Sequence, residues 1–589
     1  MHHNHYQVEP DAKAYDSRQV RQLMIYLKPY RWQVIGSLAL LVLASFIGLL
    51  TPYLIKVSID DYIQPGRVEE LYKIALILLG VLTAEFALRY AQINLMAFVA
   101  QRMMHDLRMD IFRRFHDLPV AFFDNQTVGG LMSRIIGDVN VLYDLFTAGV
   151  VTMLGDLLVI GGIMISMLLL DSRLALAVFA VLPLMFYITY WFRKKVRNSF
   201  REVRKRAAAI SGHLQESLVG MSVIQIFNRQ KARRHRFDQL NHDHLDAFLA
   251  TIRYYAIFYP LIEISSSLAI ALIIWYGGGE ILTGAVTFGI LVAFVEYTGR
   301  FFRPVFDLAE KYNILQAAMA ASERIFGLID TEPGTKNLPD AALFEGLSRE
   351  LEFKNVRFCY KPEEPVLKGV SFKVKKGESV AVVGLTGAGK STVINLLTRF
   401  YEVEAGEILF DGINIRKLDR FSLRCRVGLV LQDPFIFSGT VEENISLGRE
   451  EINRERVEEA ARTVNAHRFI EKLPGGYGFE LAERGAQLSS GQRQLISFAR
   501  ALAGNPGILI LDEATSDIDT KTETLIQAAL SRMRRGRTFV IIAHRLSTIK
   551  EVDRIIVLDH GLVKETGTHR ELLALKGIYY KLYSIQYQS

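Results

Sequence analysis

Six long apolar runs before residue 303 constrain the fold of this chain more than any other feature. They cover the ranges 34–55, 71–99, 141–170, 174–192, 254–276 and 286–302. A helix needs about 20 apolar residues to cross the hydrocarbon core of a bilayer. Lipid offers no partner for backbone N–H and C=O groups, so a crossing segment must be helical or part of a closed barrel. The runs therefore predict six membrane-spanning helices.

The connections between the runs differ greatly in length. Only residues 171–173 separate the third run from the fourth, which predicts a tight hairpin on one side of the membrane. The connections from the second run to the third and from the fourth to the fifth are long and polar. Leu107, Ile111, Phe115 and Leu118 recur there at helical spacing. The membrane helices are therefore expected to continue well beyond the lipid on that side.

Lysine and arginine residues concentrate between the apolar runs. Eight of them lie between residues 193 and 206, at the start of the connection from the fourth run to the fifth. Cytoplasmic loops carry the excess of basic residues in membrane proteins, so this side is expected to be cytoplasmic. Six crossings then place both termini in the cytosol. Orientation in the membrane also accounts for the net charge of +8, so no nucleic-acid partner is expected.

Five ionisable residues lie within the apolar runs, and they allow two interpretations. They are Glu85, Arg89, Asp156, Glu263 and Glu296. Glu85 and Arg89 are four residues apart on one helix face, where they can pair. A charge in mid-membrane usually faces protein or a wet cavity. These side chains therefore form structural ion pairs or line a cavity that contacts cargo, which Asp156, Glu263 and Glu296 would bias toward cations.

A change in composition divides the chain near residue 330. Residues 303–330 continue the helical spacing of the sixth run, and Pro333, Gly334 and Pro339 then form a connector. We expect a transmembrane domain at residues 1–330, a linker at 331–350 and a soluble domain at 351–589. Its two isolated cysteines, Cys359 and Cys425, fit a reducing cytosol.

A phosphate-binding loop follows an apolar strand in the soluble domain. Residues 384–391 read Gly-Leu-Thr-Gly-Ala-Gly-Lys-Ser, with the strand 379–383 before them and an apolar helix after them. Glycines let backbone N–H groups approach phosphates, and the helix start adds partial positive charge. Lys390 would neutralise the outer phosphates of ATP and the Ser391 hydroxyl would bind Mg²⁺. The candidate nucleotide-binding residues in this segment are Gly384, Thr386, Gly387, Ala388, Gly389, Lys390, Ser391 and Thr392.

Two further strands end in residues suited to hydrolysis. The apolar strand 508–511 is followed by Asp512 and Glu513. Ligands bind at the carboxyl ends of strands in parallel α/β sheets. Asp512 would hold Mg²⁺, directly or through water, and Glu513 would polarise the attacking water. The strand 538–543 ends at His544, which could reach the γ-phosphate or that water.

Residues 488–494, Leu-Ser-Ser-Gly-Gln-Arg-Gln, resemble the signature sequence of ATP-binding-cassette (ABC) transporters. Other positions then follow the order of that family. Tyr360 resembles the aromatic residue that stacks on adenine, and Gln432 resembles the glutamine that contacts Mg²⁺ and senses the γ-phosphate. Residues 516–519 resemble the D-loop, and His544 resembles the switch histidine. Residues 122–124, Phe-Phe-Asp, resemble the first coupling helix.

The resemblance covers nearly the whole chain and implies the exporter arrangement. The fold class would be an all-α six-helix transmembrane domain of the type I ABC exporter, followed by an α/β P-loop NTPase domain. Each ATP would lie between the phosphate loop of one cassette and the signature of a partner. Gln432, Glu513 and His544 would act in catalysis, and Ser391, Gln432 and Asp512 would bind Mg²⁺. The signature residues that would contact the partner's ATP are Ser489, Ser490, Gly491 and Gln492.

Two departures from the family pattern bear on the partner. Ser490 stands where glycine is commonest, and the D-loop reads Ser-Asp-Ile-Asp. These variants resemble one subunit of bacterial heterodimeric multidrug exporters, a second half-transporter supplying the other cassette. A homodimer with two equal ATP sites, exporting lipid or peptide, stays open. The expected cargo is amphipathic or lipid-like, and the expected location is a bacterial inner membrane with the cassette in the cytosol.

Four other classes fit the chain less well. Importers usually keep cassette and permease on separate chains, and a peptidase-coupled exporter would carry an N-terminal catalytic cysteine. A soluble ATPase of the same cassette would lack the six apolar runs. A nucleotide-gated channel would share the fold and would be identified by ion current without accumulation of cargo.

Overall fold

The structure is a computed structural model that describes residues 17–332, 334, 337–512, 520–542 and 549–587. The chain divides into two compact units. The membrane unit comprises Met1–His116 and Val128–Thr331, and the cassette unit comprises Asp117–Thr127 and Glu332–Ser589. Residues 117–127, which the sequence-based boundaries assign to the first domain, thus cluster with the second unit.

Helices make up the membrane unit. In chain order they are α1 Ser17–Leu27, α2 Arg31–Val57, α3 Leu71–Asp117, α5 Val128–Met132, α6 Val139–Asp144, α7 Val151–Leu170, α8 Ser172–Phe179, α9 Leu182–Val219, α10 Met221–Ile226, α11 Gln230–Leu272, α12 Gly278–Leu282 and α13 Phe288–Ile329, while α4 Val120–Asp124 belongs to the cassette unit. Wider π-helical turns at Ser58–Ile63, Ser133–Asp138, Leu145–Val150 and Ile273–Gly277 join several of them.

Five helical stretches of the described residues are long and apolar enough to cross a membrane. They are Arg18–Ile63, Leu71–Asp117, Val128–Leu170, Ser172–Val219 and Gln230–Leu282. The sixth expected crossing coincides with the start of α13, which is less apolar because Glu296, Arg300 and Arg303 lie in its first five turns. The predicted helical transmembrane domain is confirmed.

The long helices reach well past a bilayer. Helix α3 has 47 residues, which corresponds to roughly 70 Å of helix, against a hydrocarbon core of about 30 Å. This confirms that the polar connections are helical continuations. The predicted hairpin also forms, because the Asp171 carboxylate accepts a 2.8 Å hydrogen bond from the backbone N–H of Leu174 and caps α8.

Several polar side chains in the membrane unit pair with other residues of that unit. The predicted Glu85–Arg89 pair forms at 2.8 Å, and Lys311 pairs with Asp156. Pro52 lies within α2 and has no N–H for the carbonyl four residues before it. That carbonyl belongs to Gly48, and the Arg300 guanidinium donates to it at 2.9 Å. A charged side chain from α13 thus satisfies a backbone group that the proline leaves open.

The cassette unit contains twelve strands among the described residues. They are β1 Glu350–Cys359, β2 Pro365–Lys375, β3 Ser379–Val383, β4 Ala405–Phe410, β5 Ile413–Asn414, β6 Val427–Val430, β7 Gly439–Thr440, β8 Glu480–Leu481, β9 Ile508–Asp512, β10 Thr538–Ile542, β11 Arg554–Asp559 and β12 Leu562–Gly567. Its helices after α4 are α14 Lys390–Leu397, α15 Arg420–Arg426, α16 Val441–Ser446, α17 Arg454–Thr463, α18 His467–Ile470, α19 Ser490–Ala503, α20 Thr520–Arg534, α21 His569–Leu575 and α22 Ile578–Tyr587.

The central sheet has the strand order β12-β11-β3-β10-β9-β6. Strands β11, β3, β10, β9 and β6 run parallel to one another, and β12 is antiparallel. Side chains of β3 alternate between two apolar layers, with Ala381 and Val383 in one layer and Val380 and Val382 in the other. Burial on both faces explains why the central strands read as continuous apolar runs. A second, antiparallel sheet has the order β2-β1-β4-β5.

Candidate ATP site

The loop between β3 and α14 has a backbone that only glycine allows at several points. Gly387 has φ +83° and Gly389 has φ +100°, in the left-handed region that other residues rarely adopt. A Cβ atom on Gly384 would lie 2.2 Å from the carbonyl oxygen of Leu558. The loop therefore forms a tight turn with no side chains at its glycines, so an anion can approach its N–H groups.

Lys390 begins α14 and points its ammonium group back over this loop. The Nζ atom donates to the carbonyl oxygens of Gly384 at 2.8 Å and of Leu385 at 3.1 Å. The side chain is 7% exposed. Ser391 is exposed in the first turn of the same helix, and Thr392 is buried. A positive charge and a hydroxyl oxygen thus sit at the start of a helix whose N-terminus already favours anions.

The register of the central sheet brings further candidate residues to the same edge. Val382 of β3 pairs with Ile542 of β10, and Ile542 pairs with Asp512 of β9. The carboxyl ends of these three strands are therefore level, and Gly384 starts the phosphate loop two residues beyond Val382. Glu513 follows Asp512 in the sequence, and His544 follows Ile542 by two positions. Glu513, the D-loop residues 516–519 and His544 lie outside the described residues.

Gln432 is exposed two residues beyond the end of β6, the strand that pairs with β9. The segment after it is held by Arg500 of α19. The guanidinium donates to the carbonyl oxygens of Phe435 and Asn444, each at 2.7 Å, and to the Asn444 side-chain oxygen at 3.1 Å. Burial lowers the pKa of Arg500, although an arginine stays charged at neutral pH. This guanidinium ties the loop that carries Gln432 to the helix that carries the signature.

The signature residues form the N-terminus of α19. The Ser489 hydroxyl accepts a hydrogen bond from the Gln492 N–H at 3.2 Å, and the Gln492 side chain accepts one from the Ser489 N–H at 2.9 Å. This reciprocal capping box fixes the start of the helix. Ser489 and Ser490 are exposed, whereas Gly491 is buried. The exposed start of a 14-residue helix is suited to contact an anion on another molecule.

Tyr360 lies beside the helix that follows the phosphate loop. Its hydroxyl donates to the Thr392 hydroxyl at 3.2 Å and accepts from the Asn395 amide at 3.0 Å. The ring is 47% exposed. It also meets the Tyr401 ring edge-on, with centroids 5.1 Å apart and planes at 89°. An aromatic face next to the loop is thus available for a flat base to stack on.

Tyr401 connects this aromatic pair to residues 117–127. Its hydroxyl donates to the Asp124 carboxylate at the end of α4. Burial and this carboxylate together raise the pKa of Tyr401, so the phenol stays protonated and remains a donor at neutral pH. Gly334 packs against Pro119 in the same segment. These contacts explain why residues 117–127 cluster with the cassette unit.

Sequence reasoning found the loop, the strand ends and the signature but missed Tyr401 and Arg500. Phe358, Tyr360 and Tyr401 form one aromatic cluster, with Phe358 and Tyr401 centroids 5.6 Å apart. Tyr360 and Tyr401 are 41 positions apart in the sequence, and no spacing rule connects them. One sequence signal could have identified Arg500: it is an arginine in an otherwise apolar stretch of helix, where a buried charge needs specific partners.

Comparisons with known proteins identify the class. Residues 34–305 match the family model "ABC transporter transmembrane region", and residues 367–516 match the model "ABC transporter". The chain belongs to the ABC transporters. It is a half-transporter of exporter type, an ATPase coupled to transport, with one helical membrane domain and one nucleotide-binding domain.

Individual relatives cover nearly the whole chain. The ABC transporter ATP-binding protein YknV of Bacillus subtilis is 41% identical over 98% of this chain and 96% of its own length. YheH of the same organism, a probable multidrug resistance ABC transporter ATP-binding/permease protein, is 39% identical over 86% of this chain and 76% of its own length. The structure of a bacterial Atm1-family ABC exporter with ATP bound superposes with a TM-score of 0.76 at 29% identity, covering 94% of this chain and 98% of that one.

Proposed function

We propose that this chain exports amphipathic or hydrophobic molecules across a bacterial cytoplasmic membrane, by alternating access powered by ATP. The observation that carries the proposal is the common sheet edge, where Lys390, Ser391 and Asp512 follow or end parallel strands in register. The cassette and both termini would face the cytosol, as the basic connections require. Residues 1–330 would form the transport path, 331–350 the linker and 351–589 the motor.

The residues at this sheet edge would have different roles in binding and hydrolysing ATP. Lys390 and the N–H groups of the glycine loop would bind the phosphates of ATP, and Tyr360 would stack on the adenine. Glu513 would accept a proton from the attacking water, with His544 and Gln432 beside the γ-phosphate. Oxygen donors such as Ser391, Asp512 and Gln432 suit Mg²⁺, which neutralises phosphate charge when bound.

A second chain would complete each ATP site. Ser489, Ser490, Gly491 and Gln492 begin an exposed helix, and exposed N–H groups at a helix start would cap the γ-phosphate bound to the partner. Residues of both chains then hold ATP only when the cassettes are closed, so ATP shifts the equilibrium toward the closed dimer. Hydrolysis removes the γ-phosphate contacts and lets the cassettes separate.

The partner is proposed to be a different half-transporter. With Ser490 in its signature and Glu513 intact, this chain resembles one particular subunit of heterodimeric exporters. That subunit is the one that supplies the catalytic carboxylate. A homodimer with two equivalent sites is the alternative. Purification together with the product of the neighbouring gene distinguishes them, because the heterodimer predicts a stable complex with one copy of each chain.

An apolar cavity in the membrane unit supports an apolar or amphipathic cargo. It has a volume of about 600 Å³ and lies between α2 and α7, with Tyr297 of α13 in its wall. Aliphatic and aromatic residues form most of its lining, while Ser45 and Ser166 supply hydroxyl groups. Such sites typically bury apolar parts of a ligand and orient it with a few polar groups. The multidrug resistance name of YheH points in the same direction.

Filling this cavity is expected to weaken the response to cargo. Ile165→Trp introduces an indole into the lining, and we expect it to reduce the stimulation of ATPase activity by an amphipathic dye at least about tenfold, because the indole takes up space that the dye would fill and a loss of about 1.4 kcal/mol of binding free energy is tenfold in affinity. Basal ATPase activity of the purified complex in lipid vesicles should stay within about twofold. The matched control is Leu176→Trp, since Leu176 is similarly exposed, 64% against 60%, but is not part of the lining. Equal stimulation in both variants would remove this cavity from the proposal.

The hydrogen bond between Tyr401 and Asp124 is expected to couple ATP hydrolysis to residues 117–127, which lie in the sequence between two helices of the membrane unit. Tyr401→Phe keeps the ring beside Tyr360 but removes the donor to a carboxylate, a bond worth about 1.5–3 kcal/mol. We expect at least about a fivefold loss of dye-stimulated ATPase activity with an unchanged KM for ATP. Asp124→Asn should show a similar loss, and the double variant should lose no more than either alone, because both changes remove one bond. Additive losses would show that the two residues act separately.

A further inference from the structure

Helix α1 precedes the first crossing and packs through one face only. Leu23 and Leu27 are buried on that face. Beyond α1, the Tyr30 hydroxyl donates to Asp106 at 2.7 Å, and within α1 the Tyr26 hydroxyl donates to Asp110 at 3.0 Å. Both carboxylates belong to α3. These bonds fix α1 and its junction with α2 against the cytoplasmic half of α3.

The opposite side of the junction exposes large apolar residues beside cations. We name Ile25, Lys28, Pro29, Arg31 and Trp32 the junction surface; they line one open concavity of about 450 Å³. Ile25 is 60% exposed and Trp32 is 71% exposed. Positions 25, 28 or 29 and 32 share one helical face. A surface that combines an exposed aliphatic side chain, an exposed indole and two basic groups is unusual in contact with water alone.

The two cations of the junction surface are not neutralised within the unit. Neither Lys28 nor Arg31 pairs with a carboxylate in the part of the chain that the structure describes. The Arg31 guanidinium carbon lies 5.6 Å from the centre of the Trp32 ring, so the indole positions it without neutralising it. Both groups therefore keep hydrogen-bond donors available for an anion.

The position of the junction surface along the chain identifies what covers it. The first apolar run begins at Val34, two residues after Trp32. Tryptophan in membrane proteins concentrates at the level of the lipid headgroups, and basic side chains there extend toward the phosphates. A helix with an apolar and a basic side lies in this interface and is attracted to anionic lipid.

We propose that the junction surface binds the headgroup of an anionic phospholipid. The phosphodiester would accept hydrogen bonds from Lys28 and Arg31, while Ile25 and Trp32 would contact the upper part of the acyl chains. The inference rests on the proposed membrane location of the chain but not on ATP hydrolysis or cargo. Each basic side chain near an anionic membrane surface contributes about 1 kcal/mol of binding free energy, which is roughly fivefold in affinity. The pair therefore favours an anionic over a zwitterionic headgroup by up to roughly 25-fold.

Tryptophan fluorescence can test this directly, because Trp32 belongs to the junction surface. The chain contains three tryptophans, so only two must be replaced to isolate its signal. Trp191→Phe together with Trp275→Phe leaves Trp32 as the only indole of this chain, and replacing the tryptophans of the partner chain by phenylalanine makes it the only one in the complex. The complex is reconstituted into vesicles that contain increasing fractions of brominated phosphatidylglycerol or brominated phosphatidylcholine. We expect half-maximal quenching of Trp32 at a several-fold lower fraction of the anionic lipid than of the zwitterionic one.

The matched variants decide whether the basic pair is responsible. Lys28→Gln with Arg31→Gln should make the two quenching curves coincide. The control pair is Lys231→Gln with Arg234→Gln, since these two residues have the same spacing and are also exposed. The two quenching curves should stay apart in this control, because the pair lies near the start of α11, far from the fifth apolar run. Equal quenching by both lipids with Lys28 and Arg31 intact would overturn the proposal, and so would no quenching at all, which would indicate that protein covers Trp32. Neither result depends on ATPase activity, so this proposal can fail while the proposed function holds.

Discussion

Replacement of Glu513 by glutamine is expected to abolish nearly all ATP turnover while ATP still binds. The amide keeps the size of the carboxylate and one acceptor oxygen but cannot accept a proton from water. General-base catalysis contributes about 10²–10⁴ in rate, so kcat should fall at least about 100-fold. The Kd for ATP should change little, because the phosphates are held by the loop and Lys390. With ATP bound and not hydrolysed, the cassettes should accumulate in the closed state.

Two measurements on purified protein check this expectation. Phosphate release gives kcat, and equilibrium binding of a fluorescent ATP analogue gives affinity. Glu455→Gln is a suitable control because Glu455 is an exposed carboxylate in the first turn of α17. Normal turnover in the Glu513 variant would refute the assignment of this carboxylate as the base.

Replacement of Lys390 by alanine should act one step earlier, on binding itself. Lys390 places a largely buried ammonium over the loop, where it donates to two carbonyl oxygens. Two unit charges 4 Å apart near a protein surface interact by about 4 kcal/mol, so the Kd for ATP should rise at least about 100-fold. As a consequence, the variant should show no turnover at an ATP concentration that saturates the unmodified protein.

The contrast between the two variants is the informative result. The Glu513 variant should bind ATP at the phosphate loop of this chain and not hydrolyse it, whereas the Lys390 variant should not bind ATP at this loop. Lys373→Ala serves as the control, because Lys373 is 53% exposed and pairs with Glu350 on the other sheet of the same cassette. Unaltered ATP affinity in the Lys390 variant would show that the glycine loop is not the phosphate site.

Local sequence patterns predicted the parts of the site that are local in the chain. A strand, a glycine-rich loop and a helix follow one another between residues 379 and 397, and their order alone defines the phosphate loop. The capping box of Ser489 and Gln492 is likewise a pattern of four neighbouring residues. The long apolar runs predicted the membrane helices because lipid imposes a minimum length.

Contacts between distant residues could not be predicted in the same way. The level strand ends of β3, β10 and β9 depend on sheet register, which forms only in the folded cassette. The Arg300 guanidinium donates to the Gly48 carbonyl, which receives no backbone hydrogen bond from Pro52. Arg300 and Gly48 are 252 positions apart. The link from Asp124 to Tyr401 joins residues 277 positions apart. No pattern in the sequence carries such pairings, since they follow from tertiary packing.

Transport in reconstituted vesicles tests the central claim most directly, namely that ATP hydrolysis by this cassette drives cargo through the membrane unit. The purified complex is inserted into lipid vesicles, and an amphipathic fluorescent dye is supplied with Mg²⁺ and ATP on the cassette side. We predict accumulation of the dye inside the vesicles with ATP, and none with a non-hydrolysable analogue or with Glu513→Gln. Hydrolysis of ATP with no movement of dye or other amphipathic compounds, or ion current without accumulation, would contradict the account.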